Sequence, residues 1–399
     1  MTEPDLHQMA HALEAELVAD RRHLHRHPEL SFQELGTARF IFDRLLDLGL
    51  EPKFLLDERA VVADIEGGLG GGHSLLIRAD IDALPIQERG SQRPYCSEVP
   101  GVMHACGHDA HVAVALGVAR LLGQLRSGLE GRVRFVFQPS EETAGGAQRM
   151  IDAGVMTEPV VDGALGLHIW SGVPVGAVGV RDGAIFASAD EFRIEVQGRG
   201  GHGALPHQAL DPVPIASLVV LALQTLISRE TSPFQSAVVT VGTINGGQAF
   251  NIIPETVTLT GTVRAYTAEV RDRLLRRIGE VAEGVAGAFG ASARTSLGAG
   301  CPPVVSDPRM AQLVREAVAA SPGVTLVEPE PLTVGDDVSL FLELVPGCYF
   351  LLGAGDVASG ITAPHHHPEF DLDERCLPVG VEVMTRAALQ FLALGPGGA

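Results

Sequence analysis

The chain has 399 residues, enough for two domains and a sizeable core. Lys+Arg 29 against Asp+Glu 49 leaves a formal charge of −20, which argues against nucleic acid or anionic membrane as a partner. Five irregularly spaced cysteines, no signal-peptide pattern and no bilayer-length apolar run make a cytoplasmic protein without a disulfide framework the expectation.

Apolar spacing from Pro4 to about His25 predicts a helix, followed by the loop His25-Arg26-His27-Pro28-Glu29-Leu30-Ser31-Phe32. A second helix is expected near Thr37–Leu48, stopped at Gly49. Val61–Ile65 and Ser74–Ile77 read as strands around the glycine turn Gly67–Gly72. The second runs into Arg78-Ala79-Asp80-Ile81-Asp82, and carboxyl ends of α/β strands are where ligands usually bind.

The densest chemistry follows. Met103–His111 packs three histidines, a cysteine and an aspartate into nine positions, directly before the helical apolar run Val112–Leu122. Gly107 reads as the bend into that helix, so Cys106 and His108 stand two residues apart at its mouth. Thiolate and imidazole together suit zinc or a neighbouring first-row metal. Strand Arg132–Phe137 then leads into Gln138-Pro139-Ser140-Glu141-Glu142, where one carboxylate can bind metal while its neighbour holds a proton. Strand Ala164–Ile169 carries His168, the third strand end with a metal-competent group.

Near Ser188 the composition shifts. The next segments read as strand Glu191–Gln197, helix Pro212–Arg229, strands Ala237–Ile244 and Glu255–Ala265, helix Ala268–Phe289 and strand Ser292–Leu297. That βαββαβ order is ferredoxin-like, and Asp211-Pro212 supplies a helix N-cap and first-turn proline. Long apolar stretches in the first helix predict a face covered by a second subunit. The loop Gly198-Arg199-Gly200-Gly201-His202-Gly203-Ala204 lacks both Walker spacing and the dinucleotide fingerprint. Asn251 and Arg264 add polar groups nearby in sequence. The chain then returns through a helix after Asp307-Pro308, a helix Gly335–Val345, a buried strand Cys348–Leu352, the run Pro364-His365-His366-His367-Pro368 and a last helix Leu377–Leu392. The expectation is an α/β catalytic domain, 1–187 and 299–399, with an inserted α+β unit at 188–298.

Seven stretches, in order, resemble one family over nearly the whole chain. They are His27–Phe32, Arg78–Pro85, Met103–His111, Gln138–Glu142, Leu167–Trp170, Gly198–Pro206 and Phe250–Pro254. The family is the co-catalytic metallopeptidases of the aminoacylase and carboxypeptidase type. Within it, the similar branch is the amidohydrolases that include hippurate hydrolase and indole-acetyl-amino-acid hydrolases.

The resemblance implies two divalent metal ions per subunit, zinc or else manganese, cobalt or nickel, held by Cys106, His108, Glu142, His168 and His366. His366 is chosen because the branch places its last ligand two residues before a proline, here Pro368; His365 and His367 are the alternatives. It further implies Glu141 as general base, Asp80 in the catalytic group and His202 on the oxyanion. Asn251 and Arg264 would bind the substrate, and the inserted unit would form a lid that dimerises, with higher homo-oligomers also open. The implied reaction is hydrolysis of N-acyl amino acids to a carboxylic acid and a free amino acid. Alternatives are a metal-dependent dipeptidase, a cysteine amidase using Cys106 with His108, and a non-catalytic relative. One departure stands out: Asp336-Asp337-Val338 replaces the branch's Glu-Asp-Phe, which puts the support of the last ligand loop in question.

Overall fold

A computed structural model describes residues 5–89 and 93–394. They form two compact units, one of Met1–Ile185, Val305–Glu330 and Asp337–Ala399, the other of Phe186–Val304 and Pro331–Asp336.

The first unit opens with α1 (Leu6–Ala12), α2 (Glu14–Arg26) and α3 (Leu35–Asp47). Sequence spacing predicts one helix where α1 and α2 stand; the ladder breaks at Leu13, whose N–H bonds Ala10 three residues back. Pro4, the expected start, lies outside the described residues. Then come β1 (Lys53–Leu55), β2 (Ala60–Glu66), β3 (Gly70–Asp80), α4 (His108–Leu125), β4 (Glu130–Gln138), α5 (Gly146–Asp152), β5 (Gly163–Pro174), β6 (Ala177–Gly179) and β7 (Gly183–Phe186). Helix α4 begins four residues before the predicted Val112, which puts His108 in its first turn.

The second unit contains β8 (Ala189–Gln197), β9 (Gly201–His202), α6 (Pro212–Ser228), β10 (Ala237–Gly246), β11 (Ile252–Ile253), β12 (Thr256–Ala265), α7 (Ala268–Ala288) and β13 (Ser292–Cys301). After β14 (Val304–Ser306), the first unit resumes with α8 (Pro308–Ala319), β15 (Thr325–Val327), α9 (Ser339–Leu342), β16 (Gly347–Gly355) and α10 (Cys376–Leu392). The helix expected over Gly335–Val345 shrinks to α9 because Asp337, ahead of it, is drawn into side-chain bonds with Arg78 and Gln138.

The main sheet has eight strands in the order β1-β2-β4-β3-β5-β16-β6-β15. Its middle is parallel: β3 pairs β4 and β5, and β5 pairs β16. Such strands are covered on both faces, and β16 is buried at every position. Helices α2 and α10 pack on α4, and their apolar faces share one core with the sheet.

Strand order decides where a site can form. From β3 the chain passes through α4 to β4 on one side, then through α5 to β5 on the other. The order reverses at β3, and ligands bind beyond the carboxyl ends at such switch points. Register sets the level: Asp80 pairs with Gln138, while Arg78 pairs with Gly166, so His168 lies level with Asp80. Three strand ends therefore present their polar residues together.

In the second unit the antiparallel sheet runs β10-β12-β8-β13. Numbered by chain order within the unit, that is 2-3-1-4, the ferredoxin-like arrangement. Both α6 and α7 pack on this sheet and on each other around a separate core.

Candidate metal centre

Gly107 makes the cluster possible. Its φ of +89 is left-handed, and a Cβ there would meet Ile169 at 3.2 Å. The turn leaves Cys106 outside α4 and His108 inside its first turn, both buried. Several donor groups then overlap, each with ligand atoms within 4.8 Å of one another: Cys106, His108 and His168; Cys106, Glu142 and His366; His108, Glu141 and Glu142; and Asp80, His108 and His111. The six residues expected to hold metal or the base thus stand in one cluster.

Hydrogen bonds aim the imidazoles. His108 Nδ1 donates to the Asp82 carbonyl at 2.9 Å, which turns Nε2 into the cluster. His168 Nδ1 donates to Ile169 O at 2.6 Å, leaving Nε2 3.6 Å from Cys106 Sγ. Fixing one ring nitrogen in this way sets which nitrogen is presented to a cation.

Within these donor groups two buried atoms find no hydrogen-bond partner: His108 Nε2 and Glu142 Oε1, 3.9 Å apart. Buried polar atoms left bare are costly, and both are good ligands for a divalent cation. The donor set therefore fits metal ions.

The three tandem histidines separate clearly. His365 stacks on Trp170 and donates Nε2 to Ile169 O at 2.8 Å. His367 accepts from Glu369 N–H at 3.2 Å. Only His366 turns to the cluster, with Nε2 3.4 Å from Glu142 Oε1. Its φ of +62 is unusual for a side chain of this size, and its N–H bonds Ala105 O at 2.8 Å, next to Cys106.

Charge is strongly coupled here. Burial opposes the imidazolium of His108, but Asp80, then Asp82 and Glu142, outweigh it and carry its pKa up to about 10. Burial, ahead of neighbouring His111 and His365, holds His168 well below the usual range. Burial and then the carboxylates of Glu142 and Glu141 push the Cys106 thiol well up. A cation in the cluster reverses the sign of that field and favours thiolate.

Asp80 lies one layer back. It accepts from Arg78 at 2.7 Å and from His111 Nδ1 at 2.5 Å, and its nearer oxygen is 3.5 Å from His108 Nε2. His111 Nε2 accepts the Ile169 N–H at 2.9 Å. Arg78 also bonds Gln138 and Asp337, and Asp337 accepts from Gln138 and the Ala147 N–H. The divergent Asp336-Asp337-Val338 stretch thus supports the Asp80 side of the cluster through Asp337.

Two residues acquire importance that sequence reasoning did not give them. Asp82 accepts both the Glu141 N–H and the Glu142 N–H, at 3.0 and 3.1 Å, and the Ser31 hydroxyl at 2.7 Å. It organises the turn that presents the paired carboxylates. His111 links Asp80 to β5. The available signal was their place in Arg78–Asp82 and Met103–His111, but nothing in those strings names Ile169 or Glu141 as partners.

His202, Asn251 and Arg264 belong to the second unit. Strand β9 pairs β11, with His202 opposite Ile252, and the Gly203 N–H bonds Asn251 O at 2.8 Å. A Cβ on Gly203 would meet the Asn251 backbone at 3.0 Å, so the close approach favours glycine. The Ala204 N–H donates to His202 Nδ1 at 3.0 Å, which places the neutral ring's proton on exposed Nε2. Arg264 sits elsewhere. From Thr256 to Arg264 strand β12 advances eight steps, about 27 Å. His202 and Asn251 are brought together beyond one end of β12, while Arg264 lines a cavity of about 640 Å³ at the other.

Similarity to known proteins agrees with this geometry. Peptidase family M20/M25/M40 matches residues 76–390. The chain is 41% identical over 366 residues to N-acetyl-L-cysteine deacetylase of Bacillus subtilis (strain 168), covering 92% of this chain and 85% of that one. It is 37% identical over 381 residues to IAA-amino acid hydrolase ILR1-like 2 of Arabidopsis thaliana, covering 94% and 85%. Among solved structures, Bacillus subtilis YXEP, described as a dinuclear metal binding peptidase, aligns with TM-score 0.83 at 36% identity, over 96% of this chain and 99% of that one. On sequence and fold alike, the chain belongs to Peptidase family M20/M25/M40.

Proposed function

We propose that the protein is a metal-dependent amidohydrolase that cleaves N-acyl amino acids to a carboxylic acid and a free amino acid. The observation that carries this is the cluster of Cys106, His108, Glu142, His168 and His366, with two bare buried ligand atoms and Glu141 beside it. Two divalent cations there would supply Lewis-acid polarisation of a carbonyl and lower the pKa of water. The residue roles are part of the same proposal.

Glu141 lies at the edge of the cluster, its Oε2 4.0 Å from His108 Nε2, and is only partly buried. Its carboxylate takes the proton of the attacking water and returns it to the leaving amine. Asp80, through His111 and Arg78, positions the ligand set. His202 donates from Nε2 to the oxygen on which charge develops, with Asn251 alongside it. Arg264 receives the substrate carboxylate, a positive group in an otherwise acidic chain.

Because β12 separates Arg264 from His202 and Asn251, one small substrate cannot meet both groups from one chain. The proposal includes a homodimer in which His202 and Asn251 serve the partner's centre. The second unit has surface for it: Val213, Leu218 and Leu221 on α6 and Val238 and Ile244 on the edge strand β10 are exposed. A cytoplasmic setting, expected from the cysteines, is part of the proposal. A cysteine-nucleophile mechanism has less support, since burial and adjacent carboxylates push the Cys106 thiol up and Glu141–Glu142 would then have no task.

Hydrolysis of a panel of N-acyl amino acids by zinc-, manganese-, cobalt- and nickel-loaded protein tests the activity. Turnover of at least one N-acyl amino acid is expected; inertness of every metal-replete form toward the whole panel would refute it.

Two further outcomes arise here. His366→Ala should lower metal content, whereas His365→Ala and His367→Ala should retain it, as measured by elemental analysis after dialysis. A metal-deficient His367→Ala protein would shift the ligand by one residue. Asp82→Asn should weaken metal affinity or activity about 10–100-fold, since an amide cannot accept from both Glu141 and Glu142 N–H groups and Ser31 as the carboxylate does. Chelator competition measures the affinity; unchanged affinity and activity would show that the turn holds without Asp82.

A further inference from the structure

Outside the centre described above, α1 and α10 bring three more metal-competent side chains together. His7 and His11 lie four residues apart on α1 and so share one helix face. Their ring centroids are 4.4 Å apart. Packing of α1 on α10 sets Glu382 against them, and His7 Nδ1 lies 2.9 Å from Glu382 Oε2. One ligand atom from each of the three falls within 4.8 Å of the others. None of them belongs to the proposed catalytic set.

The carboxylate is prepared for a cation. Glu382 is wholly buried on α10, and Arg386, one turn on, donates Nε and Nη2 to Oε1 at 2.9 and 2.8 Å. That pair occupies Oε1 with a charge-assisted double hydrogen bond and leaves Oε2 to the histidine side. Neither imidazole is buried, so both rings have room to turn and water can complete the coordination. Two histidines at i and i+4 with one carboxylate are a zinc-type donor set. Imidazole nitrogen favours zinc, nickel or copper over magnesium or calcium.

We propose that His7, His11 and Glu382 form a second, peripheral site for a divalent transition cation of the zinc class. The cation takes the position of the proton between His7 Nδ1 and Glu382 Oε2 and joins His11 to the pair. It thereby clips α1, which buries only Leu6 and Ala10, to the last helix. The inference does not depend on the amidohydrolase reading.

Equilibrium dialysis against zinc, followed by elemental analysis, tests it on the full chain. His11→Ala and His7→Ala, checked for native circular dichroism, should each bind about one zinc fewer than wild type at saturation. The same deficit should appear when each is placed in a Glu142→Ala background, which separates this site from the proposed catalytic cluster. Hydrolytic rates of the metal-loaded single variants should match wild type. In zinc-soaked crystals, anomalous density is expected between His7, His11 and Glu382. Equal zinc content in wild type and both histidine variants across the whole titration, with no anomalous peak there, would overturn the site.

Discussion

Glu141→Gln is expected to reduce turnover of an N-acyl amino acid by about 10²–10⁴-fold or more while metal content stays whole. The substitution keeps the side chain's shape and the backbone N–H that bonds Asp82, so the turn carrying Glu142 is preserved. What disappears is the group that accepts a proton at the edge of the cluster. Glu142→Ala should behave differently: it removes a buried ligand oxygen, and metal itself should be lost. Measured together, metal content and kcat separate the adjacent carboxylates. Near-normal turnover of a metal-replete Glu141→Gln protein would remove Glu141 from the mechanism.

The second large effect is expected at His202. Its Nδ1 is occupied by the Ala204 N–H, so the ring can donate only from Nε2. A donor that acts mainly in the transition state is worth about 10²–10³-fold in kcat. His202→Ala should therefore lower kcat strongly, leave metal content intact and move KM little. If the donor serves the partner's centre, mixing His202→Ala with Glu141→Gln protomers restores part of the activity. Each mixed dimer then holds one centre with both groups intact. No rescue, with subunit exchange verified, would confine His202 to its own chain's centre or remove it from catalysis.

Much of the α/β layout could be read from the chain because each strand is a short apolar run ending in chemistry. Asp80, Glu141–Glu142 and His168 were visible as polar residues at three strand ends, and register brings them level. The ferredoxin-like order of the second unit followed from the succession of apolar segments and the Asp211-Pro212 helix start. Less could be read where the deciding partner is distant in sequence. Asp82 and His111 look ordinary until the N–H groups of Glu141, Glu142 and Ile169 are folded onto them. Asp337 reads as part of a helix start but is drawn to Arg78 and Gln138 instead. The resemblance makes Asn251 and Arg264 one substrate-binding pair, yet β12 carries them to opposite ends of the strand, a consequence of strand direction that no local pattern records.

The most direct test of the central claim is hydrolysis before and after removal of metal. Protein stripped by chelator and then dialysed free of it should show no turnover of N-acyl amino acids. Reloading with zinc, manganese, cobalt or nickel should restore turnover, and Cys106→Ala, His108→Ala or Glu142→Ala protein should not recover. Full activity in the stripped protein, verified metal-free, would contradict a metal-dependent amidohydrolase.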